Sequence, residues 1–271
     1  MDLHTERQMA ALQRISRDTD AREVALAAYG RLVALLERLE PADWERPTEC
    51  DGWDVAAMVG HVIGAGTAGA SLRENLRQLW HGKRHAARFD GNSLDATNEL
   101  QVRDHADLGP QERIAALREV APAAVDGRLG LPRVLRRLPI PLDAGGSTAS
   151  GMPTRLLLGE VMEVAYTRDV WLHTIDIARA TSVPYQPDPH VDGRIVEDVV
   201  AEWARRHGQP VGLVLEGPAG GRFRQGVGGV DLRLDAIEFC RILSGRAEPP
   251  IEGVDGKAAA GQRLLTTRLV F

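Results

Sequence analysis

Asp169, His173 and Asp176 follow one another at intervals of four and three residues in the stretch TRDVWLHTIDIARA, which begins at Thr167. On a helix, side chains four residues apart lie about 40° apart around the axis and one turn along it. A carboxylate oxygen and an imidazole nitrogen so placed can meet one cation. The interval by itself is weak evidence, because most such pairs are surface neighbours or a histidine satisfied by an acid. His61 adds a second imidazole, set within AAMVGHVIGAG among almost no polar residues. Alone it reads as a core histidine bonded to a backbone carbonyl. On a helix facing the first one, His61, Asp169 and His173 supply three ligands, the number that catalytic zinc takes from protein while keeping a fourth position open. Asp176 reads either as the acceptor for the far N–H of a ligating histidine or as a solvent-facing acid. His81, His85, His105, His190 and His207 stand in charged or loop-like surroundings and receive no role, and HGKRH reads as a solvated helix end.

The elements that must carry these residues are mostly helical. Ala25, Leu26, Tyr29, Leu32, Val33, Leu36 and Leu39 recur at spacings of three and four, which predicts a helix over 21–39. After Pro41 and the turn-rich WERPTECDG, a second helix opens near Asp51, with Asp51 as its N-cap and Asp54 at the positive end of its dipole. Gly64, Gly66 and Gly69 weaken it or admit a close neighbour or ligand. Helical patterning continues over 93–108 and 110–125, and again from about Pro153 to Ala180; 127–153 is irregular and suits a lid or covering loop. Four main helices in this order predict a bundle. Beyond Thr181, SVPYQPDPH reads as a linker. A helix over VDGRIVEDVVAEWARRHG, three short strands in PVGLVLEG, GRFRQGVGG and VDLRL, and a helix in DAIEFCRILSGR make a small α+β domain. The expected domains are 1–182 and 183–271.

A net charge of −5 leaves no basic footprint for nucleic acid. Cys50 and Cys240 are the chain's two cysteines, too few for a disulfide framework. The charged start MDLHTERQMAALQR is no secretory signal, and no run reaches the roughly 18 apolar residues of a membrane span. The expectation is a cytoplasmic protein with neither nucleic-acid nor membrane partners.

WERPTECDGWDVAAMVGHV resembles the N-terminal signature of the mycothiol-dependent maleylpyruvate isomerase family, within the wider DinB-like superfamily, through Trp44, Pro47, Thr48, Gly52, Trp53 and His61. DVWLHTIDIARA is similar to the family's second signature, and the segment from GQPVGLVLEG to LDAIEFCRILSGR to its sterol-carrier-like C-terminal domain. The resemblance covers nearly the whole chain. It implies a DinB-like four-helix bundle followed by a small sterol-carrier-like α+β domain. It also implies a divalent metal, commonly zinc, held by His61, Asp169 and His173, and a low-molecular-weight thiol cofactor, mycothiol. The family's isomerase carries glutamate where this chain has Asp169. The shorter side chain requires the ion to sit closer to the helix, or the backbone to shift.

The function so implied is metal- and thiol-dependent S-transfer or isomerisation of a small electrophile. A free thiol, with a pKa of about 8.5, is mostly protonated at neutral pH, and metal coordination supplies the thiolate directly. No protein cysteine need then act as nucleophile, and Cys50 reads as packing. Arg222 and Arg224 alternate along one predicted strand, so they share a face and are candidates for gripping a substrate carboxylate; a solvated strand face is the stronger reading. The competing expectation is a binding module that sequesters a small apolar or thiol-bearing ligand without turnover. A third is a structural or regulatory protein whose metal site has decayed.

Overall fold

The computed structural model describes residues 5–141, 154–249 and 258–271. These divide into two compact units. One is formed by 17–141 with 154–185, the other by 5–16 with 186–249 and 258–271. In chain order the elements begin with β1 (Glu6–Gln8), α1 (Ala21–Leu36), α2 (Val55–Ala70), α3 (Leu72–His85), α4 (Ser93–Asp104), α5 (Pro110–Leu129) and α6 (Arg133–Arg136). Then come β2 (Pro139–Pro141), β3 (Arg155–Leu157), α7 (Leu158–Glu160) and α8 (Tyr166–Thr181). The chain continues through α9 (Val191–His207), β4 (Val211–Glu216), β5 (Gly221–Gln225), β6 (Val230–Asp235), α10 (Ala236–Ser244) and α11 (Ala258–Leu265).

In the helical unit α2 packs on α5, α5 on α1, α1 on α8 and α8 on α2. Leu32 and Leu36, Met58 and Val62, Leu117 and Val125, and Leu172 and Ile177 are fully buried between them. Each such side chain contributes about 1.5–3 kcal/mol. The chain reaches α2 through a turn in which Thr48 N–H donates to Trp53 O at 2.9 Å and Gly52 takes a φ of +79°. The backbone is therefore still turning at Asp51, and the cap is Asp54, whose Oδ1 accepts from Ala57 N–H at 2.7 Å. The glycines of α2 admit neighbouring helices: a Cβ on Gly64 would lie 2.5 Å from Cβ of Gln101 on α4.

Helix α3 has no counterpart in the apolar pattern. It turns Gln78 and Gly82 inward and leaves Leu72, Leu76, Leu79 and Trp80 exposed. Gln78 Nε2 donates to Gly64 O at 2.9 Å, and Gln101 Nε2 donates to Gln78 Oε1 at 2.7 Å, tying α2, α3 and α4 by hydrogen bonds. The expected helix from Pro153 begins later. Residues Arg155–Leu157 pair with Pro139–Pro141 as strands, and Leu157 N–H donates to the Glu160 carboxylate at 3.1 Å, so helix can start only at Leu158. A wide π-helical turn over Val161–Ala165 then leads into α8. Of the segment 127–153, expected to be irregular and to suit a lid, residues 127–141 hold the end of α5, α6 and β2, and residues 142–153 lie outside the described residues.

The second unit has a sheet of order β1-β5-β4-β6, with β4 antiparallel to β5 and parallel to β6. The three strands and two helices expected after Thr181 are present. The additional strand β1 runs parallel to β5. Residues 5–16 thus group with this unit rather than with the preceding helices. Arg14 Nε donates to buried Asp198 Oδ1 at 2.6 Å, and Ile15 N–H to the same oxygen at 2.7 Å. The change-over between units falls at 185/186, three residues beyond the expected 182/183. No helix among the described residues is long and apolar enough to cross a membrane.

The link from β5 to β6 passes beneath the start of β4. There Gly229 has a φ of +88°, and a Cβ on it would lie 2.0 Å from Pro210 O. Gly229→Ala should therefore destabilise the second unit by about 2 kcal/mol or more. Urea unfolding followed by near-ultraviolet circular dichroism checks this; an unchanged midpoint would contradict the tight crossing.

Candidate metal centre

Tyr166, Asp169, His173 and Asp176 recur at intervals of three, four and three residues along α8 and so share one of its faces. Helix α8 is enclosed on nearly all sides, and His173 and Asp176 are buried. His61 meets this stripe from α2. The Asp169 carboxylate spans the two imidazoles, Oδ2 at 3.6 Å from His61 Nε2 and Oδ1 at 3.2 Å from His173 Nε2. The three donor atoms all lie within 4.8 Å of one another. A tetrahedral zinc with ligand bonds of about 2.0–2.2 Å spaces its donors roughly 3.3–3.6 Å apart. The two imidazole nitrogens and the carboxylate, within 4.8 Å of one another, are near enough for such an ion to draw them to that spacing. Of the Asp169 side chain, 23% remains accessible, so its carboxylate is within reach of solvent.

Asp176 takes the place expected of a supporting acid. Its Oδ2 accepts from His173 Nδ1 at 3.1 Å, which leaves Nε2 directed at the cluster. His61 lacks the equivalent: its Nδ1 is buried with no partner among the described residues. The Trp53 ring covers His61 at 5.0 Å between centroids, and the two imidazoles meet edge to face at 5.3 Å.

Three further side chains, which the sequence did not single out, line the same interior. Burial pushes the phenols of Tyr29 and Tyr166 up, against the pull of nearby Arg128, so both remain protonated donors at neutral pH. Arg128, from the last turn of α5, is buried, with its guanidinium 5.3 Å above the centre of the Tyr166 ring. Tyr166 could have been found as the residue one turn before Asp169. Nothing in the pattern distinguishes Tyr29 from the other core positions of α1.

Cys50, in the turn before α2, is closer to the cluster than a packing role requires. It can offer its sulfur within 4.8 Å of donor atoms on His173 and Asp176. Arg222 and Arg224 stand in the second unit on one face of β5, as the alternation predicts. Arg224 Nε donates to Glu6 at 3.0 Å, and its guanidinium lies 3.5 Å from Asp231. Arg222 is exposed and lines a shallow depression with Glu216 and Arg233.

Burial works against a charge on His173, but the Asp169 carboxylate outweighs it and the hydrogen bond that the imidazole donates to Asp176 reinforces Asp169, so the imidazole is pushed up to about 9. The same imidazole holds Asp169 well below the usual carboxylate range in spite of burial. In the metal-free protein, the His173 contribution to stability is full below about pH 6.5 and is lost as pH rises through about 9. The Asp169 contribution is present above about pH 4 and is lost as pH falls through its lowered value. A cation at His173 Nε2 must displace the imidazole proton. Zinc uptake at pH 7 should then release roughly one proton per chain from this group, and apparent affinity should climb towards about pH 9. Calorimetry in buffers of different ionisation enthalpy measures this; pH-independent affinity without proton release would contradict the arrangement.

The profile of the mycothiol maleylpyruvate isomerase N-terminal domain matches residues 25–178. Among solved structures, the mycothiol-dependent maleylpyruvate isomerase is similar at 15% identity and a TM-score of 0.51, over 87% of this chain and 90% of that one. A histidine-to-alanine variant of that enzyme matches with the same figures. These structures share the chain's fold, and no curated protein sequence matches it. The matched span carries the Trp53 turn, both imidazoles and Asp169, and through it this chain belongs to the mycothiol maleylpyruvate isomerase family.

Proposed function

We propose that the chain is a metal- and mycothiol-dependent enzyme that isomerises a small electrophile or transfers the thiol to it. The observation that carries this reading is the His61–Asp169–His173 donor set, drawn from α2 and α8, with part of the Asp169 side chain accessible. Zinc supplies a Lewis-acid position for a thiol sulfur, and the thiol supplies a nucleophile that isomerisation regenerates and S-transfer consumes. The solved structures with this fold are of a mycothiol-dependent maleylpyruvate isomerase, which favours isomerisation of an activated double bond. The DinB-like four-helix bundle and the sterol-carrier-like second domain belong to the same proposal.

The chain's own residues have distinct parts in it. Asp176 fixes the His173 tautomer, and Asp169 balances positive charge between the two imidazoles. Trp53 walls the His61 side with an apolar ring and limits water there. The Tyr29 and Tyr166 hydroxyls offer neutral hydrogen-bond donors in a low-dielectric interior, where donors directed at developing charge are most effective. The nucleophile is the external thiol and not Cys50, although Cys50 lies near His173.

Zinc-loaded protein should consume mycothiol with an activated electrophile or interconvert the cis and trans isomers of an activated alkene. His173→Ala should lower that rate by roughly two orders of magnitude or more, whereas Cys50→Ser should stay within about twofold of wild type, since it leaves the proposed nucleophile untouched. Loss of turnover in Cys50→Ser would move the nucleophile onto the protein. Ligand retained through purification, with no thiol consumed, would favour sequestration instead of catalysis.

A further inference from the structure

Helix α3 presents its apolar side to solvent. Surface helices bury their apolar stripe and turn charge outwards, but Leu72, Leu76, Leu79 and Trp80 are each between 50% and 75% exposed. The inward side of α3 is polar and tightly held. Gln78 and Gly82 are buried, and a Cβ on Gly82 would lie 2.2 Å from Thr97 Oγ1 and 2.5 Å from Ser93 O, so α4 packs there with no space for a larger residue. Gln78 is hydrogen-bonded to Gly64 on α2 and to Gln101 on α4. The helix cannot roll its leucines inwards without breaking these contacts.

Spacing sorts the outward residues into two adjacent rows. Leu72, Leu76, Leu79 and Lys83 follow at intervals of four, three and four, and Arg73, Arg77, Trp80 and Arg84 repeat that rhythm one residue later. Arg77 is engaged within the protein, in ion pairs with Glu74 and Asp104. Arg73, Lys83 and Arg84 are exposed and form no ion pair among the described residues, and the Arg84 guanidinium lies 5.3 Å from the centre of the Trp80 ring. From Leu72 to Arg88 the sequence carries five Lys or Arg residues and one acid, in a chain of net charge −5. An apolar row therefore lies beside a cationic one, and its partner must be apolar and anionic together. A second copy does not meet that need. Across a two-fold axis, antiparallel helices would set Arg73 against Lys83 and Arg84, and parallel ones would set Arg84 against Arg84; like charges so placed oppose pairing. An anionic bilayer surface does meet it. Acyl chains receive the leucines, phosphate headgroups receive the cations, and the boundary between them suits the amphipathic indole of Trp80. A lipid surface also yields to a convex ridge, whereas a protein needs a matching groove.

We propose that α3 is an interfacial helix that docks this protein on anionic phospholipid surfaces, with Leu72, Leu76, Leu79 and Trp80 inserted and Arg73, Lys83 and Arg84 on the phosphates. The expectation of no membrane partner rested on the lack of a spanning segment, and no helix among the described residues is long and apolar enough to span. A helix lying in the headgroup plane needs none. The metal donors come from α2 and α8, so docking is separable from the chemistry at that centre.

The test is co-sedimentation of full-length protein with vesicles of phosphatidylcholine alone, or of phosphatidylcholine and phosphatidylglycerol in equal parts. The protein should bind the mixed vesicles, bind the neutral ones roughly tenfold more weakly or worse, and be released from the mixed ones by high salt. Leu76→Gln should weaken binding to the mixed vesicles by roughly tenfold, and Lys83→Glu by a comparable factor. Both side chains are exposed, so the melting temperature should stay at the wild-type value in each variant. Trp80→Phe should still bind but lose most of the quenching of tryptophan emission that lipid brominated on the upper acyl chain causes in the wild type. No binding to mixed vesicles, equal binding to both kinds, or binding unaltered by Leu76→Gln and Lys83→Glu would overturn the proposal. So would a dimer in sedimentation velocity that Leu76→Gln dissolves, since it would give this face to a second copy.

Discussion

One carboxylate, Asp169, is shared between the Nε2 atoms of His61 and His173, and much of the helical unit is arranged to make that sharing possible. Imidazoles from two helices can converge on one acid only if α2 and α8 face each other closely. Helix α2 therefore has to be enclosed by its other neighbours without bulk of its own. Gly64 admits α4 and Gly69 admits the stem of Arg128 on α5, so α2 is held on its outer sides by contacts that leave His61 directed inwards. Asp54 fixes where α2 begins, and the turn before it places Trp53 over the His61 ring.

The same interior carries polar groups that a protein built only for stability would exclude. Asp176 is fully buried and engaged with His173, and Arg128 is buried without an ion pair among the described residues. Burying such groups works against folding unless each is balanced. Apolar contacts from Leu32, Leu36, Met58, Leu117 and Leu172 carry that load around the cluster. The second unit buries charged groups as well, Asp192, Asp198, Glu202 and Arg241, with Asp198 held by Arg14, around a core in which Trp203, Phe239 and Leu265 are buried and the Trp203 indole donates to Leu264 O at 2.9 Å.

How much of this was legible in the sequence varied with the kind of information each feature needs. The α8 stripe could be read because its spacing is local to one helix, and His61 because it interrupts an apolar run. Asp176 could be placed relative to His173 for the same reason. Tyr29 occupies an apolar position of α1, and Arg128 looks like a cation favouring the dipole at the end of α5; only tertiary packing turns both towards the cluster. Of helix α3 only the HGKRH end was read as helical, because Gln78 and Gly82 form its inner face and its large apolar residues point outwards, the reverse of what periodicity detects. Strand β1 is the three residues Glu6–Gln8, with no apolar alternation, and it exists only through its pairing with a strand over 200 residues later.

The central claim is that His61, Asp169 and His173 hold one metal ion from two helices. Plasma mass spectrometry of zinc-saturated protein, freed of excess metal, tests it most directly on wild type, His61→Ala and His173→Ala. The account requires about one zinc per chain in the wild type and its loss from both variants, because the ligands come from separate helices and neither pair suffices. Zinc retained at full stoichiometry in both variants, or none bound by the folded wild type, would contradict it.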